Sequence, residues 1–342
     1  MIRRKDLDDP QTREVIVIGG GIAGLSAAIY LGRAQRDTLV IDSGHSMAKW
    51  EPSVENYLGF PNGVGGEELL RNGCRQAKRH NVRFVHDEVR TVSRKNSGFV
   101  LKGKKKTYRA KRLLLATGIF HLPPEIPGVK ECLGHSMFFC KDCDGFRVRR
   151  KRIAIIGSNN EAVEYALGML DYSACVIVAT NGKKPRWDRR HARWLVEYEI
   201  PVRRKRITDV EHRKRKIRAL DFAGEARVKI DYIFTTRGDI LHTGLAEKLG
   251  AKLDAGGQIE VDQCLRTSVP GLYAAGCVTP ANCQMIIAAG QGAAAAQAIN
   301  RDLFDESLAT HSLRRFREVQ LAGEKTVPES VSDTAKRKRT KG

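Results

Sequence analysis

The stretch from residue 14 to residue 42 constrains the fold of this chain more than any other part of the sequence. It begins with the β-branched run EVIVI at 14–18, followed by GGGIAG and by LSAAIYLGRA, whose apolar residues have helical spacing. A second apolar run, TLVID, follows at 38–42. Strand, tight turn, helix and strand in this order predict a βαβ unit of the type that binds dinucleotides.

Three glycines of this unit stand at the positions that a dinucleotide site requires. Gly19 permits the tight turn, Gly21 lets the backbone approach a pyrophosphate, and Gly24 lets the helix pack closely on the strand. The phosphates would then face free N–H groups at the start of the helix. Asp42 ends the second strand, where a carboxylate can accept hydrogen bonds from ribose hydroxyls. The complete unit therefore predicts a dinucleotide site.

A second unit of the same shape starts at residue 152. RIAIIGSNNEAVEYALGML spans 152–170, and the strand-like ACVIVAT follows at 174–180. Alanine at the third glycine position is common, whereas an asparagine at the second puts a side chain where a pyrophosphate would approach. We therefore expect the fold of this unit to persist without an ordinary dinucleotide site. The residues assigned to its cleft are Gly157, Asn159, Asn160 and Glu161.

The order of the segments predicts an α/β fold with two Rossmann-like domains, the second inserted into the first. RLLLATG at 112–118 predicts a strand with a small-residue turn, and the prolines of the following HLPPEIPG predict a linker. VPGLYAAGCVT at 269–279 predicts another strand and turn, before a long Ala/Gly-rich helix. The outer domain is therefore expected to resume after residue 240.

The segment FFCKDCDGF at 138–146 contains two cysteines three residues apart. Such a pair can form a redox disulfide, supply half of a zinc site, or consist of two separate thiols. Zinc needs four ligands, usually from two such pairs, and the other cysteines include no second CxxC. His121, His135 and His191 add no ligand constellation, so we predict no metal site. The pair by itself leaves its role open.

Composition limits the classes of function. The charged N-terminus is not a signal peptide, and the longest apolar run, at 285–299, is too short and glycine-rich to span a bilayer. We therefore expect a cytoplasmic protein, in which thiols are normally reduced. The net charge of +21 is spread along the chain, and this basic surface leaves a peripheral association with a membrane open. Aromatic residues make up only 6%, without an RNA-stacking signature, so no nucleic-acid role is expected.

Taken in order, the motifs resemble those of the low-molecular-weight thioredoxin reductases over residues 13–312. The matching segments are GGGIAG, SVENYLGFPN, LLLATG, CKDCDG, IIGSNNEA, GLYAAGCV and NCQMIIAAGQG. The resemblance implies FAD in the outer domain, normally NADPH in the inserted domain, a homodimer, and a thioredoxin-like or other dithiol protein as partner. The residues that it places around FAD are Gly19, Gly21, Gly24, Asp42, Asn56, Val89, Thr117, Gly118, Gly276, Cys277, Gln284 and Met285.

The resemblance also implies a role for each residue of the CxxC segment. Cys140 and Cys143 would form the redox disulfide, with Cys143 facing the flavin and Cys140 exchanging with the partner. Asp144 would carry the proton of the leaving thiolate. The alternative for Asp144 is a turn aspartate before Gly145.

This sequence departs from the family pattern at three places. The His-Arg-Arg signature that holds the 2′-phosphate of NADPH is replaced by ATNGKKPRW, in which Lys183, Lys184 and Arg186 form either a rearranged phosphate clamp or a basic loop; we favour the loop. Cys277 stands where the family has the aspartate that holds the ribityl chain of the flavin, and a thiol is a poorer acceptor than a carboxylate. Cys283 replaces an arginine beside Gln284. We expect FAD to bind and NADPH to be used weakly or not at all.

The departures favour a relative that does not depend on pyridine nucleotides. CKDCDG with GSNNEAVEYA resembles the diflavin-linked disulfide oxidoreductases, which hold a second FAD in the vacant cleft. We therefore hypothesise an FAD-dependent dithiol/disulfide oxidoreductase with one or two FAD per chain. The alternatives are an NADPH-dependent or a ferredoxin-dependent thioredoxin reductase, the latter drawing on an acidic carrier. The intact CxxCD argues against a non-enzymatic flavin-containing sensor or scaffold.

The domain boundaries follow from these assignments. We expect an N-terminal arm at 1–13, the first part of the FAD-binding domain at 14–120, the inserted NAD(P)H-type domain carrying the CxxC at 121–240, and the second part of the FAD-binding domain at 241–315. The polar and basic segment at 316–342 is expected to be a disordered tail.

Overall fold

The structure is a computed structural model that describes residues 12–95, 98–236 and 238–324. The strands are β1 (Thr12–Ile18), β2 (Thr38–Asp42), β3 (Arg83–His86), β4 (Val89–Lys95), β5 (Gly98–Gly103), β6 (Thr107–Leu115), β7 (Ile119–His121), β8 (Met137–Phe138), β9 (Ile153–Ile156), β10 (Val176–Ala179), β11 (Val202–Arg203), β12 (Ile207–Arg213), β13 (Lys216–Phe222), β14 (Val228–Lys229), β15 (Tyr232–Thr235), β16 (Asp239–Leu241) and β17 (Leu272–Ala274). The helices are α1 (Ile22–Arg33), α2 (Gly66–Lys78), α3 (Lys141–Asp144), α4 (Asn160–Gly168), α5 (Arg189–Glu197), α6 (Gly244–Lys248), α7 (Met285–Ala309) and α8 (Ser312–Glu324).

The outer domain is built on a sheet whose central strand is β1. This strand pairs in parallel with β2 on one side and with β6 on the other, and β2 continues to β3. On the far side, β6 pairs in parallel with β17 and antiparallel with β5, which pairs with β4. Apolar side chains are buried on both faces of β1, as expected for a parallel strand covered on both sides.

The inserted domain contains a second parallel sheet, with the strand order β11-β10-β9-β15-β8. Helices α4 and α5 cover one face, where Val163, Ala166 and Leu195 are buried. The antiparallel sheet of β12, β13 and β14 covers the other face, with Val210 and Leu220 buried against the strands. Each unit therefore buries its sheet between two layers, which is the arrangement of a Rossmann-like domain.

The chain enters and leaves the inserted domain through a short antiparallel ribbon. β7 and β16 pair there, with His121 opposite Asp239 and Ile119 opposite Leu241. The expected fold class is confirmed: two dinucleotide-binding units are present in an α/β chain, and the second lies within the first.

Helices α1 and α7 pack closely against each other in the outer domain. The Oγ of Ser26 donates a hydrogen bond of 2.7 Å to the carbonyl oxygen of Ala289. A Cβ added to Gly292 would lie 2.0 Å from the carbonyl oxygen of Ala23, so only a glycine allows this approach. The close contact sets the start of α7 beside the glycine-rich turn that precedes α1.

The ends of the chain differ from the expected boundaries. β1 begins at Thr12, inside the expected arm, while residues 1–11 lie outside the described residues. α8 continues to Glu324 instead of giving way to a tail at residue 316, and Arg314 contacts Glu318 one turn later at 3.2 Å. The rest of the expected tail, 325–342, lies outside the described residues. In the three described ranges, no helix combines the length and apolar character needed to cross a membrane.

Candidate active site

A large cavity lies between the outer domain and the CxxC segment. Its volume is about 1020 Å³, near the upper end of the range of about 300–1,000 Å³ that is usual for ligand pockets. The members of the expected FAD set that border it are Gly19, Gly21, Asp42, Asn56, Val89, Thr117, Gly118, Gly276, Cys277, Gln284 and Met285. Cys140, Cys143 and Asp144 border the same cavity. The structure therefore brings the two groups of residues together.

The glycine-rich turn forms one wall of the cavity. Gly19 has a φ of +106°, and a Cβ there would lie 2.2 Å from the carbonyl oxygen of Ala116. Gly24 lies outside the cavity, where an added Cβ would be 1.9 Å from the carbonyl oxygen of Gly19. A side chain at position 19 would therefore push the turn away from Ala116, at the end of β6. A side chain at position 24 would push α1 away from the turn.

Asp42 lies at the end of β2, beside this turn. Its Oδ1 accepts a hydrogen bond of 3.0 Å from the backbone N–H of Gly20, which fixes the carboxylate at the cavity wall. The remaining acceptor capacity of the carboxylate is suited to ribose hydroxyls.

These features fit FAD. The cavity has a suitable size, its wall leaves room for a pyrophosphate at Gly19 and Gly21, and Asp42 is positioned for a ribose. On the opposite side, Gly276 adopts a φ of +85°. Its N–H donates a hydrogen bond of 2.7 Å to Oε1 of Gln291, so the backbone there is also held in place.

Cys140 and Cys143 are joined by a disulfide, with their Cα atoms 5.3 Å apart. Cys140 caps the short helix α3, because its Sγ accepts a hydrogen bond of 3.2 Å from the N–H of Cys143. The backbone N–H of Lys141 donates to the hydroxyl of Tyr165 at 2.6 Å, and that hydroxyl donates to the carbonyl oxygen of Phe139 at 2.7 Å. The pair is thus held on the inserted domain, and both cysteines are half-buried.

Gln284 links the outer domain to this disulfide. Its Nε2 lies 3.2 Å from Sγ of Cys143 and 3.4 Å from Sγ of Cys140. Its Oε1 accepts a hydrogen bond of 2.9 Å from Nδ2 of Asn56, which orients the amide. Asn56, far away in the sequence, therefore holds the amide of Gln284 so that its N–H donor faces both sulfurs.

Asp144 is buried next to the disulfide, where the charges of Arg147 and Glu51 influence its pKa. Its carboxylate accepts a hydrogen bond of 3.1 Å from Nε of Arg147, which also contacts Glu55 at 2.8 Å. Burial, the largest cause, and the nearby carboxylate of Glu51 raise the pKa of Asp144, while Arg147 opposes the shift; the resulting pKa is about 7. Burial also raises the pKa of Glu51. A carboxyl group that titrates near neutrality is suited to general acid–base catalysis.

Glu51 and Arg147 were not predicted from the sequence as site residues. Both border the cavity, and both act on the pKa of Asp144. Glu51 follows a short turn of helix at Met47–Trp50 and is distant from the CxxC in the sequence. No local motif marks either residue, so only the tertiary contacts identify them.

The second cleft lies apart from this cavity, at the start of α4. Asn159 caps the helix, since its Oδ1 accepts a hydrogen bond of 3.3 Å from the N–H of Ala162. Asn160 and Asp188 pair twice: Nδ2 of Asn160 donates to the carboxylate of Asp188 at 3.1 Å, and the backbone N–H of Asp188 donates to the side-chain Oδ1 of Asn160 at 2.9 Å. The N–H of Arg186 donates to the carbonyl oxygen of Ser158 at 2.6 Å. These hydrogen bonds hold the loop after β10 against the turn between β9 and α4.

Cys277 and Cys283 form a second disulfide, with their Cα atoms 4.9 Å apart. The expectation that Cys277 is a thiol standing in for an aspartate is therefore wrong. The two cysteines are six residues apart, so the pair does not have the CxxC spacing and was not predicted. The turn that follows β17 brings them together, and both border the cavity. The only local signal in the sequence was that cysteine replaces both the family's aspartate, at position 277, and the family's arginine, at position 283.

Comparison with known proteins agrees with this geometry. The family model described as pyridine nucleotide-disulphide oxidoreductase matches residues 13–298. The thioredoxin reductase of Treponema pallidum is 33% identical over 294 residues, which are 83% of this chain and 95% of that protein. The thioredoxin reductase of Bacillus subtilis is 27% identical over 304 residues, covering 86% of this chain and 95% of that protein.

A solved structure supports the fold. The thioredoxin reductase of Streptococcus pyogenes superimposes with a TM-score of 0.81 at 22% identity, covering 87% of this chain and all of that one. Matches over most of both chains, together with the Cys140–Cys143 disulfide at a cavity that fits FAD, lead to one conclusion. The chain belongs to the pyridine nucleotide-disulphide oxidoreductase family, as a thioredoxin reductase-like flavoprotein disulfide oxidoreductase.

Proposed function

We propose that this protein transfers reducing equivalents between FAD and the Cys140–Cys143 disulfide, in exchange with a dithiol protein and without using NADPH. The observation that carries the second half of this proposal is the double pairing of Asn160 with Asp188 across the start of α4. In a functional dinucleotide site, the start of this helix is open to a pyrophosphate, whereas here the side chain of Asn160, the first residue of α4, is joined to the loop at Asp188.

The start of α4 is occupied by the protein's own groups. The Asn159 side chain uses the N–H of Ala162, and the loop at Arg186 is tied to the carbonyl oxygen of Ser158. A pyrophosphate would have to displace the Asn159 cap and the paired Asn160 and Asp188. These contacts support the absence of a phosphate site in the inserted domain.

Charge at the start of α4 supports the same conclusion. The backbone and side chain of His191 donate to Asp188 and lower its pKa to about 2, so this carboxylate is ionised at neutral pH. Glu161 adds a second acidic group in the first turn of α4. Lys183, Lys184 and Arg186 are exposed on the neighbouring loop. The loop TNGKKPRW does not contain the two adjacent arginines that would match a 2′-phosphate. The same contacts disfavour a second FAD held through its pyrophosphate at α4.

The chemistry rests on residues around the first cavity. FAD, when bound, supplies a two-electron redox group. Gln284 directs its amide at both sulfurs of the disulfide, and Cys140 accepts a hydrogen bond from the helix backbone. This hydrogen bond would stabilise a thiolate on Cys140, the sulfur that we assign to exchange with the partner. Asp144, with a pKa of about 7, would hold or release the proton of the other thiol.

The partner that we propose is a thioredoxin-like or other dithiol protein. One relative, the bifunctional thioredoxin reductase/thioredoxin of Mycobacterium leprae, carries both activities in its name. The net charge of +21 would also attract an acidic electron carrier such as ferredoxin. We further propose a homodimer, as the family resemblance implies.

Two measurements on the purified protein test the proposal. Anaerobic mixing with micromolar NADPH should leave the flavin absorbance unchanged, while a dithiol should bleach it. Acid-released flavin should be close to one per chain. Rapid bleaching by NADPH would contradict the proposal and indicate an ordinary thioredoxin reductase. Two flavins per chain would instead show that the second cleft holds FAD despite the Asn160–Asp188 pair.

A further inference from the structure

We propose that Cys277 and Cys283 form a second redox-active disulfide, which dithiols reduce independently of Cys140 and Cys143. This inference goes beyond the proposed function, which assigns no role to the second pair. The two cysteines are bonded, with a Cα–Cα distance inside the range of natural disulfides. Both border the cavity that fits FAD, and Cys283 directly precedes Gln284, whose amide contacts the first disulfide. Two disulfides therefore lie at one cavity.

A purely structural role explains the second disulfide poorly, because other bonds already hold its loop. Thr279, inside the loop, is fully buried, and its Oγ1 donates to the carbonyl oxygen of Gly276 at 2.8 Å. Nε2 of Gln258 donates to the carbonyl oxygen of Thr279 at 2.7 Å. A cross-link between residues six apart also removes little entropy from the unfolded chain, since the gain grows with loop length.

The two sulfur atoms differ in their surroundings. Cys283 is exposed, whereas Cys277 is half-buried between Gly276 and the buried Val278. Attack on a disulfide needs access to one sulfur, and exposed disulfides are the ones that exchange readily. A dithiol in solution would therefore attack Cys283, and Cys277 would be the leaving thiolate on the cavity side.

The position of Cys283 also favours the reduced state of the pair. Gln284 is the N-cap of α7, a helix of 25 residues, and Cys283 lies immediately before it. The positive end of a long helix stabilises a nearby thiolate. Stabilising the reduced form of a pair makes its disulfide easier to reduce.

The reaction balances in two steps. One thiolate of the dithiol attacks Sγ of Cys283, the bond to Cys277 breaks, and Cys277 takes up a proton. The second thiol of the dithiol then attacks the mixed disulfide and releases Cys283. The dithiol loses two electrons and two protons and becomes a disulfide, and Cys277 and Cys283 become two thiols.

The test measures thiols directly. FAD-loaded protein is treated anaerobically, in its native state, with rising concentrations of dithiothreitol, quenched with acid, unfolded and alkylated with iodoacetamide. Trypsin separates the pairs, because Cys277 and Cys283 share the peptide 267–301, while Cys140 and Cys143 fall on the peptides 131–141 and 142–147. We expect the 267–301 peptide to gain two labels within about a tenfold range of the dithiol concentration that reduces Cys140–Cys143.

Variants separate this inference from the proposed function. In Cys140→Ser/Cys143→Ser, the 267–301 peptide should be labelled over an unchanged range, and Cys277→Ser/Cys283→Ser should halve the thiols that appear on reduction. If the second pair stays oxidised while Cys140–Cys143 is fully reduced, the inference fails and the proposed function stands. Loss of labelling in the first variant also overturns it, because reduction would then run through the first pair. Labelling of the second pair alone would support the inference and contradict the proposed function.

Discussion

Nε of Arg147 donates a hydrogen bond of 3.1 Å to Oδ1 of Asp144, the residue next to the redox-active Cys143. The guanidinium keeps a buried carboxyl group from becoming permanently neutral, while burial and Glu51 act in the opposite direction. The result is a pKa of about 7, at which a small change in pH alters the charge beside the disulfide.

The variant Asp144→Asn should oxidise dithiols about 10²–10⁴-fold more slowly, because an amide cannot carry the proton of the leaving thiolate. Stopped-flow measurement from pH 6 to 9 should show an inflection near pH 7 in the wild type that the variant lacks. Asp142→Asn is the matched control, since Asp142 is exposed and its carboxylate pairs with the neighbouring Lys141. An unchanged rate in Asp144→Asn would reduce Asp144 to a turn residue.

Asp144 should also make the stability of the fold depend on pH. Its pKa is higher in the folded protein than the ordinary value of 3.8, so the folded state binds the proton more tightly. The stabilising contribution is complete below about pH 4 and is lost as pH rises to 7. Asp144→Asn should therefore match the wild type at pH 4 and exceed its free energy of unfolding by about 2–4 kcal/mol at pH 8. Urea denaturation at both pH values measures this, and equal gains at both would contradict the assigned pKa.

Replacing Cys140 and Cys143 together by serine should abolish multiple-turnover exchange between dithiols and flavin while FAD stays bound. The glycine-rich turn and Asp42 are untouched by these changes. Of the two single variants, only Cys140→Ser, which keeps Cys143, should show a long-wavelength thiolate-to-flavin absorption band. The readout must be multiple turnovers, with dissolved oxygen as the acceptor that reoxidises the flavin, since the Cys277–Cys283 disulfide can oxidise a dithiol only once. Wild-type turnover in the double variant would refute the site assignment.

Gly292→Ala should destabilise the outer domain, because the new Cβ would lie 2.0 Å from the carbonyl oxygen of Ala23. Forcing α1 and α7 apart in this way should cost about 1–3 kcal/mol or more. Gly290→Ala, in the same helix, is the control, because no atom of the described residues lies within 4 Å of the new Cβ apart from its chain neighbours and the backbone of its own helix. It should stabilise the protein by up to about 1 kcal/mol, from helix propensity alone. Thermal unfolding of both variants tests the packing, and similar melting temperatures would contradict it.

The second cleft shows the limits of sequence reasoning within a correctly identified unit. Asn159 was expected to crowd a pyrophosphate from its position in the glycine motif. The structure shows a different use of the side chain, as the N-cap of α4. The obstacle that we propose, the Asn160–Asp188 pair, joins residues 28 positions apart and depends on the path of the loop after β10.

The two βαβ units, the inserted arrangement, the glycines of the outer unit and the close spacing of the CxxC cysteines could all be predicted from the sequence. These features are local: strand and helix periodicities, tight turns and closely spaced cysteines are set by residues within one or two elements. The pKa of Asp144, the orientation of Gln284 by Asn56 and the bond between Cys277 and Cys283 became clear only from the folded chain. The first two depend on residues far apart in the chain. The third depends on the turn after β17, whose path is held by buried hydrogen bonds of Thr279 that no local pattern encodes.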